Sequence, residues 1–179
     1  MRIISGKYKG KKLSVPKKLP VRPTTDMAKE SLFNILRNIF CFDEISVIDL
    51  FAGTGNISYE FASRASKKVY AVDANFRCIR FIRKTSKELG LNLTVYKSDV
   101  YKFLENTTLT ADLIFADPPY YFKTEVFLKI VDIVFERNLL NRNGLLIIEH
   151  SKHSSLNEHL MFKQEKKYGS SVFSFFKSL

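Results

Sequence analysis

Five short apolar runs, separated by stretches with helical spacing, constrain the fold of this chain more than any other feature. The runs lie near 45–50, 68–72, 92–96, 112–116 and 144–149, and the helical patterns near 56–64, 75–88, 100–106 and 124–137. Alternation of this kind predicts a parallel sheet joined by right-handed crossovers. The expected fold class is therefore α/β. A further helix should open near Thr25 or Asp26, either of which can cap it, with Ala28, Leu32, Ile35, Leu36 and Ile39 along one apolar face. Gly90 and Gly144 fall where helices should end. After Glu149 the pattern changes. Two runs, 160–168 and 172–177, flank Gly169-Ser170-Ser171, which is a hairpin signal. At the other end, 2–5 and 11–15 read as two short strands joined by a Gly/Lys turn. Pro16, Pro20 and Pro23 then mark an extended connector.

The ends of these strands carry the chemistry. The run Ala111–Ala116 stops at Asp117-Pro118-Pro119-Tyr120. Neither proline has an N–H to donate, so the chain must leave the sheet there. A carboxylate, two rigid carbonyls and an aromatic ring are left at a strand's C-terminal edge. Together they suit a planar NH2 group such as the exocyclic amine of a nucleobase. Taken alone, the segment reads equally as a Pro-Pro turn with a surface Tyr. The run Val47–Leu50 passes through Asp49 into Phe51-Ala52-Gly53-Thr54-Gly55-Asn56. Glycines at that bend let backbone approach a ligand closely. The dinucleotide fingerprint would have a third glycine where this chain has Ser58, and Asp49 is unusual for a nicotinamide site, so a dehydrogenase is disfavoured. Asp73 ends the next run, about where an acid binds ribose hydroxyls, and Asp99 follows the run Leu93–Tyr96. Each acid alone could be a helix cap or a solvated turn. Four acids at successive strand ends share the edge where open α/β sheets bind ligands.

The chain has 179 residues and a net charge of +11, enough for one domain with a sizeable core. Residues 1–23 hold eight cations and no acid, and 152–179 hold five cations and two acids. The stretch 24–151 is balanced, with sixteen of each sign. Basic ends neutralise phosphates, so Arg2, Lys7, Lys9, Lys11, Lys12 and Arg22 are candidates for RNA binding. A solubilising tail is the alternative. Cys41 and Cys78 lie far apart in apparent helices and form no disulfide framework. His150 and His153 could share a helix face, but the histidines show no metal spacing, and no metal is expected. No apolar run approaches the ~20 residues of a membrane span, and the lysines after Gly6 do not form a signal-peptide core. A reduced cytoplasm is the expected location.

The ordered set Asp49-x-Phe51-x-Gly53-x-Gly55, Asp73, Asp99 and Asp117-Pro118-Pro119-Tyr120 resembles the class I S-adenosylmethionine-dependent methyltransferases. Met1–Leu13, Arg22-Pro23-Thr24-Thr25-Asp26, Glu30–Leu36 and Lys167-Tyr168-Gly169-Ser170-Ser171 narrow the resemblance. They are similar to segments of the RsmD family, the 16S rRNA (guanine(966)-N(2))-methyltransferases, and the likeness covers essentially the whole chain. It implies a Rossmann-like class I methyltransferase fold: a mostly parallel seven-stranded sheet with a C-terminal antiparallel hairpin. It also implies a basic N-terminal hairpin extension at 1–23, with the methyltransferase domain at 24–179. S-adenosylmethionine would be the methyl donor, leaving S-adenosylhomocysteine. Gly53 and Gly55 would pass beside its methionine portion, Asp73 would take both ribose hydroxyls, and Asp99 with the Val100 N–H would face the adenine. Thr25, with Thr24 and Asp26, would close over the donor, and Asp49 would orient the glycine turn. Asp117, Pro118, Pro119 and Tyr120 would form the catalytic set, with Tyr120 stacked on the base. The expected partner is 16S rRNA within an assembled small ribosomal subunit, engaged by a monomer without a membrane. Asp at position 117 also fits adenine-N6 DNA or RNA methyltransferases, and a non-catalytic RNA-binding protein on the same fold is a further alternative.

Overall fold

The computed structural model describes residues 1–16, 25–119 and 121–178. Pro20, Arg22, Pro23, Thr24 and Tyr120 therefore lie outside the described residues. In chain order the elements are α1 (Asp26–Leu36), β1 (Ser46–Leu50), α2 (Asn56–Ser63), β2 (Lys68–Asp73), α3 (Phe76–Leu89) and β3 (Leu93–Lys97). Then follow α4 (Val100–Asn106), β4 (Ala111–Ala116), α5 (Thr124–Glu136), β5 (Leu140–Ser151), β6 (Phe162–Tyr168) and β7 (Ser171–Phe176). The seven strands form one sheet in the order β3-β2-β1-β4-β5-β7-β6. β1 to β5 pair in parallel, and β7 runs antiparallel between β5 and β6. This is the class I arrangement, parallel in its body and closed by an antiparallel hairpin.

Both faces of the sheet are covered, so the central strands read as continuous apolar runs rather than alternating ones. Val47, Val69, Leu113, Phe115, Ile147 and Phe173 pack under α1 and α2 with Leu32, Phe33, Leu36, Ile57 and Phe61. Ala71 on the same face meets Ile82 and Leu89 of α3 and Ile3 of the N-terminal segment. Ile48, Leu50, Val72, Ile114 and Ile148 face the other way, toward α4 and α5. Side chains alternate along a strand, so Asp49 shares the face of Val47 and Ala71 and meets α2.

Five local expectations are corrected. The N-terminal segment doubles back, with Ile3 N donating to Lys11 O at 3.0 Å, but it holds a single antiparallel bridge, Arg2 to Lys12, in place of two strands. The next ladder donor, Ser5 N, goes instead to the Glu60 carboxylate at 3.0 Å, while on the outer side Ile4 N donates to Glu60 at 2.8 Å and Arg2 O accepts from Lys29 Nζ at 2.6 Å. Gly144 lies inside β5, not at a helix end. The β4–β5 register slips between Ala111↔Leu140 and Leu113↔Leu145, and in that irregularity a Cβ on residue 144 would stand 2.8 Å from Asn141 O. The helix before it ends at Glu136. Cys41 is exposed and precedes a short 3-10 turn rather than sitting in a helix. His150 belongs to β5, where its Nε2 lies 2.8 Å from Ser174 Oγ, so it shares no helix face with His153. On α1, Ala28, Leu32 and Leu36 are buried as expected, but Ile39 lies beyond the helix and is exposed.

Candidate active site

The sheet order reverses between β1 and β4, which opens a crevice at the C-terminal ends of those two strands. Backbone and carboxylate bonds stitch four strand ends together at this edge. Ser98 N donates to Asp73 O at 3.1 Å, joining β3 to β2. Ala52 N donates to Val72 O at 3.0 Å and Gly53 N to Asp73 Oδ2 at 2.8 Å, joining β2 to the turn after β1. Asp117 N lies 3.4 Å from Leu50 O, joining β1 to β4. Gly53, Asp73, Asp117 and the start of α4 at Asp99–Val100 thus sit along one rim.

The glycine turn is held from below. Gly55 precedes α2 with a φ of 81°, in the left-handed region, and offers no side-chain cap. Asp49 supplies the cap instead. Its Oδ2 accepts from Ser58 N at 2.9 Å, in the first turn of α2, and also from the Ser58 hydroxyl. The Ser58 departure from the dinucleotide pattern and the acid inside β1 are therefore one feature. Burial pushes the Asp49 carboxyl up to about 7, against the pull of the two Ser58 bonds. A side chain at Gly55 is excluded twice, by its φ and by Tyr59, whose Cζ would lie 2.9 Å from a Cβ. Phe51 also adopts a left-handed φ of 58°, a conformation that costs a residue with a Cβ about 1–2 kcal/mol. Its ring packs edge-on against Phe122 at 6.2 Å between centroids.

The acids at the rim are partly engaged by backbone. Asp73 Oδ1 accepts from Asn75 N at 2.7 Å and Oδ2 from Gly53 N. Burial raises its pKa, and these two bonds oppose the rise. Each carboxylate oxygen keeps a second lone pair, so Asp73 can still accept from two ligand hydroxyls. Asp99 is exposed and caps α4, its Oδ1 accepting from Lys102 N at 3.1 Å. Asp117 is half-buried, Pro118 buried and Pro119 half-buried. Pro119 O accepts from Phe122 N at 3.0 Å. Tyr121 is 82 % exposed beside the motif. The rim offers a left-handed glycine turn, acceptors spaced along three strands and an aromatic loop. These residues fit a nucleoside-bearing methyl donor.

Comparison with known proteins decides the relationship. The family model described as Conserved hypothetical protein 95, which is the RsmD family, matches residues 1–177. The chain belongs to the RsmD family. YlbH of Bacillus subtilis, provisionally named an rRNA methyltransferase, is 32 % identical over 177 residues, covering 94 % of each chain. The Ribosomal RNA small subunit methyltransferase D of Escherichia coli strain K12 is 30 % identical over 164 residues, 87 % of this chain and 77 % of that protein. The solved structure of yhhF from Escherichia coli, provisionally named a methyltransferase, is 26 % identical and superposes with a TM-score of 0.85 over 98 % of this chain and 96 % of that one.

The remaining candidate residues of this RsmD-family chain sit at the start of α1 and on the N-terminal segment. Thr25 caps α1, its Oγ1 accepting from Ala28 N at 3.2 Å. The same helix meets the end of the glycine turn, where Lys29 Nζ donates to Asn56 Oδ1 at 2.8 Å. Arg2, Lys7, Lys9, Lys11 and Lys12 are exposed, and Arg2 Nε pairs with Asp26 at 3.3 Å.

Sequence reasoning missed the network beneath them. Lys29 and Glu60 are both fully buried and 3.5 Å apart. Glu60 also takes Arg64 Nη2 at 2.9 Å, as well as the N–H groups of Ile4 and Ser5. Burial lowers the Lys29 pKa, and Glu60 opposes the drop. The available signal was Lys29 itself, which shares the helical stripe of Leu32, Phe33 and Leu36.

Proposed function

We propose that the protein transfers a methyl group from S-adenosylmethionine to the N2 amine of a guanine in 16S rRNA. The stitched rim carries this reading, because it sets the glycine turn and Asp73 beside Asp117 and Pro118 at the topological switch point. Family membership and the name of the Escherichia coli relative support the same reaction class. The donor supplies an electrophilic methyl carbon on a sulfonium. Gly53 and Gly55 admit its methionine portion, Asp73 accepts from the ribose hydroxyls, and Asp99 with the Val100 N–H reads the adenine. Asp49 acts below the donor, holding the turn through Ser58.

A guanine N2 lone pair is delocalised into the ring and is a poor nucleophile. The Asp117 carboxylate and the Pro118 carbonyl accept its two hydrogens and favour the tetrahedral, charge-bearing nitrogen that forms during attack. This is catalysis by orientation and electrostatics. Tyr120 stacks on the base, which is flipped out if it is paired. Residues 1–23 serve as a basic RNA-holding extension of a catalytic domain at 24–179, and the working form is a monomer on the small subunit.

Two variants test the reading. Asp117→Ala should lose about 10²–10³ in rate while its calorimetric affinity for S-adenosylmethionine stays near that of the parent. Asp73→Ala should bind the donor much more weakly. An Asp117→Ala protein with parental activity would contradict the catalytic role, and normal donor affinity in Asp73→Ala would contradict the ribose role.

A further inference from the structure

The stretch 24–151 is neutral as a whole, but its charge is not evenly placed. α3 holds Arg77, Arg80, Arg83, Lys84 and Lys87 against a single acid, Glu88. Arg77, Arg80 and Lys84 recur at three- and four-residue spacing, so they share one outer face and extend about 10 Å along the helix axis. That face and the returning limb of the N-terminal segment enclose a groove of about 810 Å³, whose lining includes Lys11, Lys12, Phe76, Arg77, Arg80 and Lys84. Tyr8 fastens the two walls together, its hydroxyl donating to Leu89 O at the end of α3. Lys84 pairs loosely with Glu88 at 3.7 Å, and Arg83 turns away to donate to Val95 O at 3.1 Å. Among the described residues no carboxylate lies within ion-pair distance of Arg77 or Arg80. Phe76, at the groove's upper end, is 57 % exposed, with Lys97 Nζ 5.8 Å from its ring centroid.

We propose that this groove between α3 and residues 11–16 holds a single-stranded stretch of the RNA substrate, its phosphates on Lys11, Lys12, Arg77, Arg80 and Lys84. The inference rests on the RNA methyl-transfer reading and extends its footprint beyond the N-terminal cations. Charge complementarity identifies the occupant, since five cations and one acid match a polyanion. The shape matches as well: a concave groove takes a strand, whereas a lipid surface needs a flat or convex contact. An exposed ring edged by cations is how sequence-tolerant single-strand sites combine stacking with phosphate contacts. The groove also leads to the reaction rim, because α3 starts three residues after Asp73.

The test uses the full chain with Arg77, Arg80 and Lys84 all changed to Gln, and a matching Arg77→Lys, Arg80→Lys protein as control. Affinity for a short single-stranded fragment of 16S rRNA is measured by fluorescence anisotropy across a salt series. Methyl transfer and donor affinity are measured in parallel. The slope of log affinity against log salt should be shallower by about 2, near 0.7 for each lost contact. KM for RNA should rise while kcat and donor affinity hold, and the Lys control should behave as the parent. Unchanged slope and KM in the Gln variant would overturn the groove while leaving methyl transfer intact. A parent that binds RNA through these residues but transfers no methyl would retire the reaction and keep the groove. A parent that binds no RNA, or a variant that loses only its affinity for anionic phospholipid vesicles, would overturn the groove.

Discussion

At the scale of single residues, Asp49 is a fully buried acid that holds the glycine turn from below. Its carboxylate replaces the missing cap of α2 and ties the strand before the glycine turn to the helix after it. The folded protein holds the Asp49 proton to about pH 7, whereas an unfolded Asp releases it near 4. Its contribution to stability is therefore complete below about pH 4 and is lost as pH rises through about 7. Asp49→Asn keeps an acceptor for Ser58 and removes the titration. The melting temperature of the parent minus that of the variant should fall between pH 4 and 7, and a difference that stays flat would contradict the burial of this acid. The edge shared by Asp73, Asp99 and Asp117 was legible in the sequence, because acids at the ends of parallel strands must meet at one rim. The partner of each carboxylate was not. Whether Asp49 faces a ligand or Ser58 depends on where α2 packs, and spacing along the chain does not contain that.

At the scale of elements, the N-terminal segment is anchored by side chains rather than by strand pairing. Glu60 collects Ile4 N, Ser5 N, Arg64 and Lys29, so it joins the segment, α1 and α2 in one buried knot. Removing one member of a buried pair strands the other charge, which costs about 3–5 kcal/mol. Glu60→Ala should lose about that much in urea unfolding, and limited proteolysis should cut the variant first within residues 1–13. A loss below 1 kcal/mol with an intact N-terminus would show that the knot is incidental. The strands and helices of the sheet were legible from hydrophobic period and glycine punctuation. The hairpin at 2–15 was legible only as a reversal, because its next ladder donor, Ser5 N, is claimed by Glu60, which is far away in sequence. Gly144 misled for a related reason: a glycine that ends a helix and a glycine that fits an irregular strand look the same until the partner strand is in place.

At the scale of the whole molecule, the strand order does most to create the candidate site. Placing β1 beside β4 puts two loops far apart in the chain, the glycine turn and the Pro-Pro turn, on adjacent strand ends. The charge distribution follows the same logic, with cations on the N-terminal segment and the outer face of α3 and a balanced remainder. No helix among the described residues is long and apolar enough to cross a membrane. If the basic segment holds RNA, changing Lys7, Lys9, Lys11 and Lys12 to Gln should flatten the salt dependence of RNA affinity by about 0.7–0.9 per lost contact. Donor affinity should not move, and an unaltered slope would leave the segment a solubilising tail. The most direct measurement of the central claim follows the methyl group itself. The protein is incubated with methyl-labelled S-adenosylmethionine and small ribosomal subunits, and the rRNA is digested to nucleosides. The account predicts label in N2-methylguanosine from one position of 16S rRNA, absent with Asp117→Ala. Label in N6-methyladenosine, or label in N2-methylguanosine that persists without the Asp117 carboxylate, would contradict it.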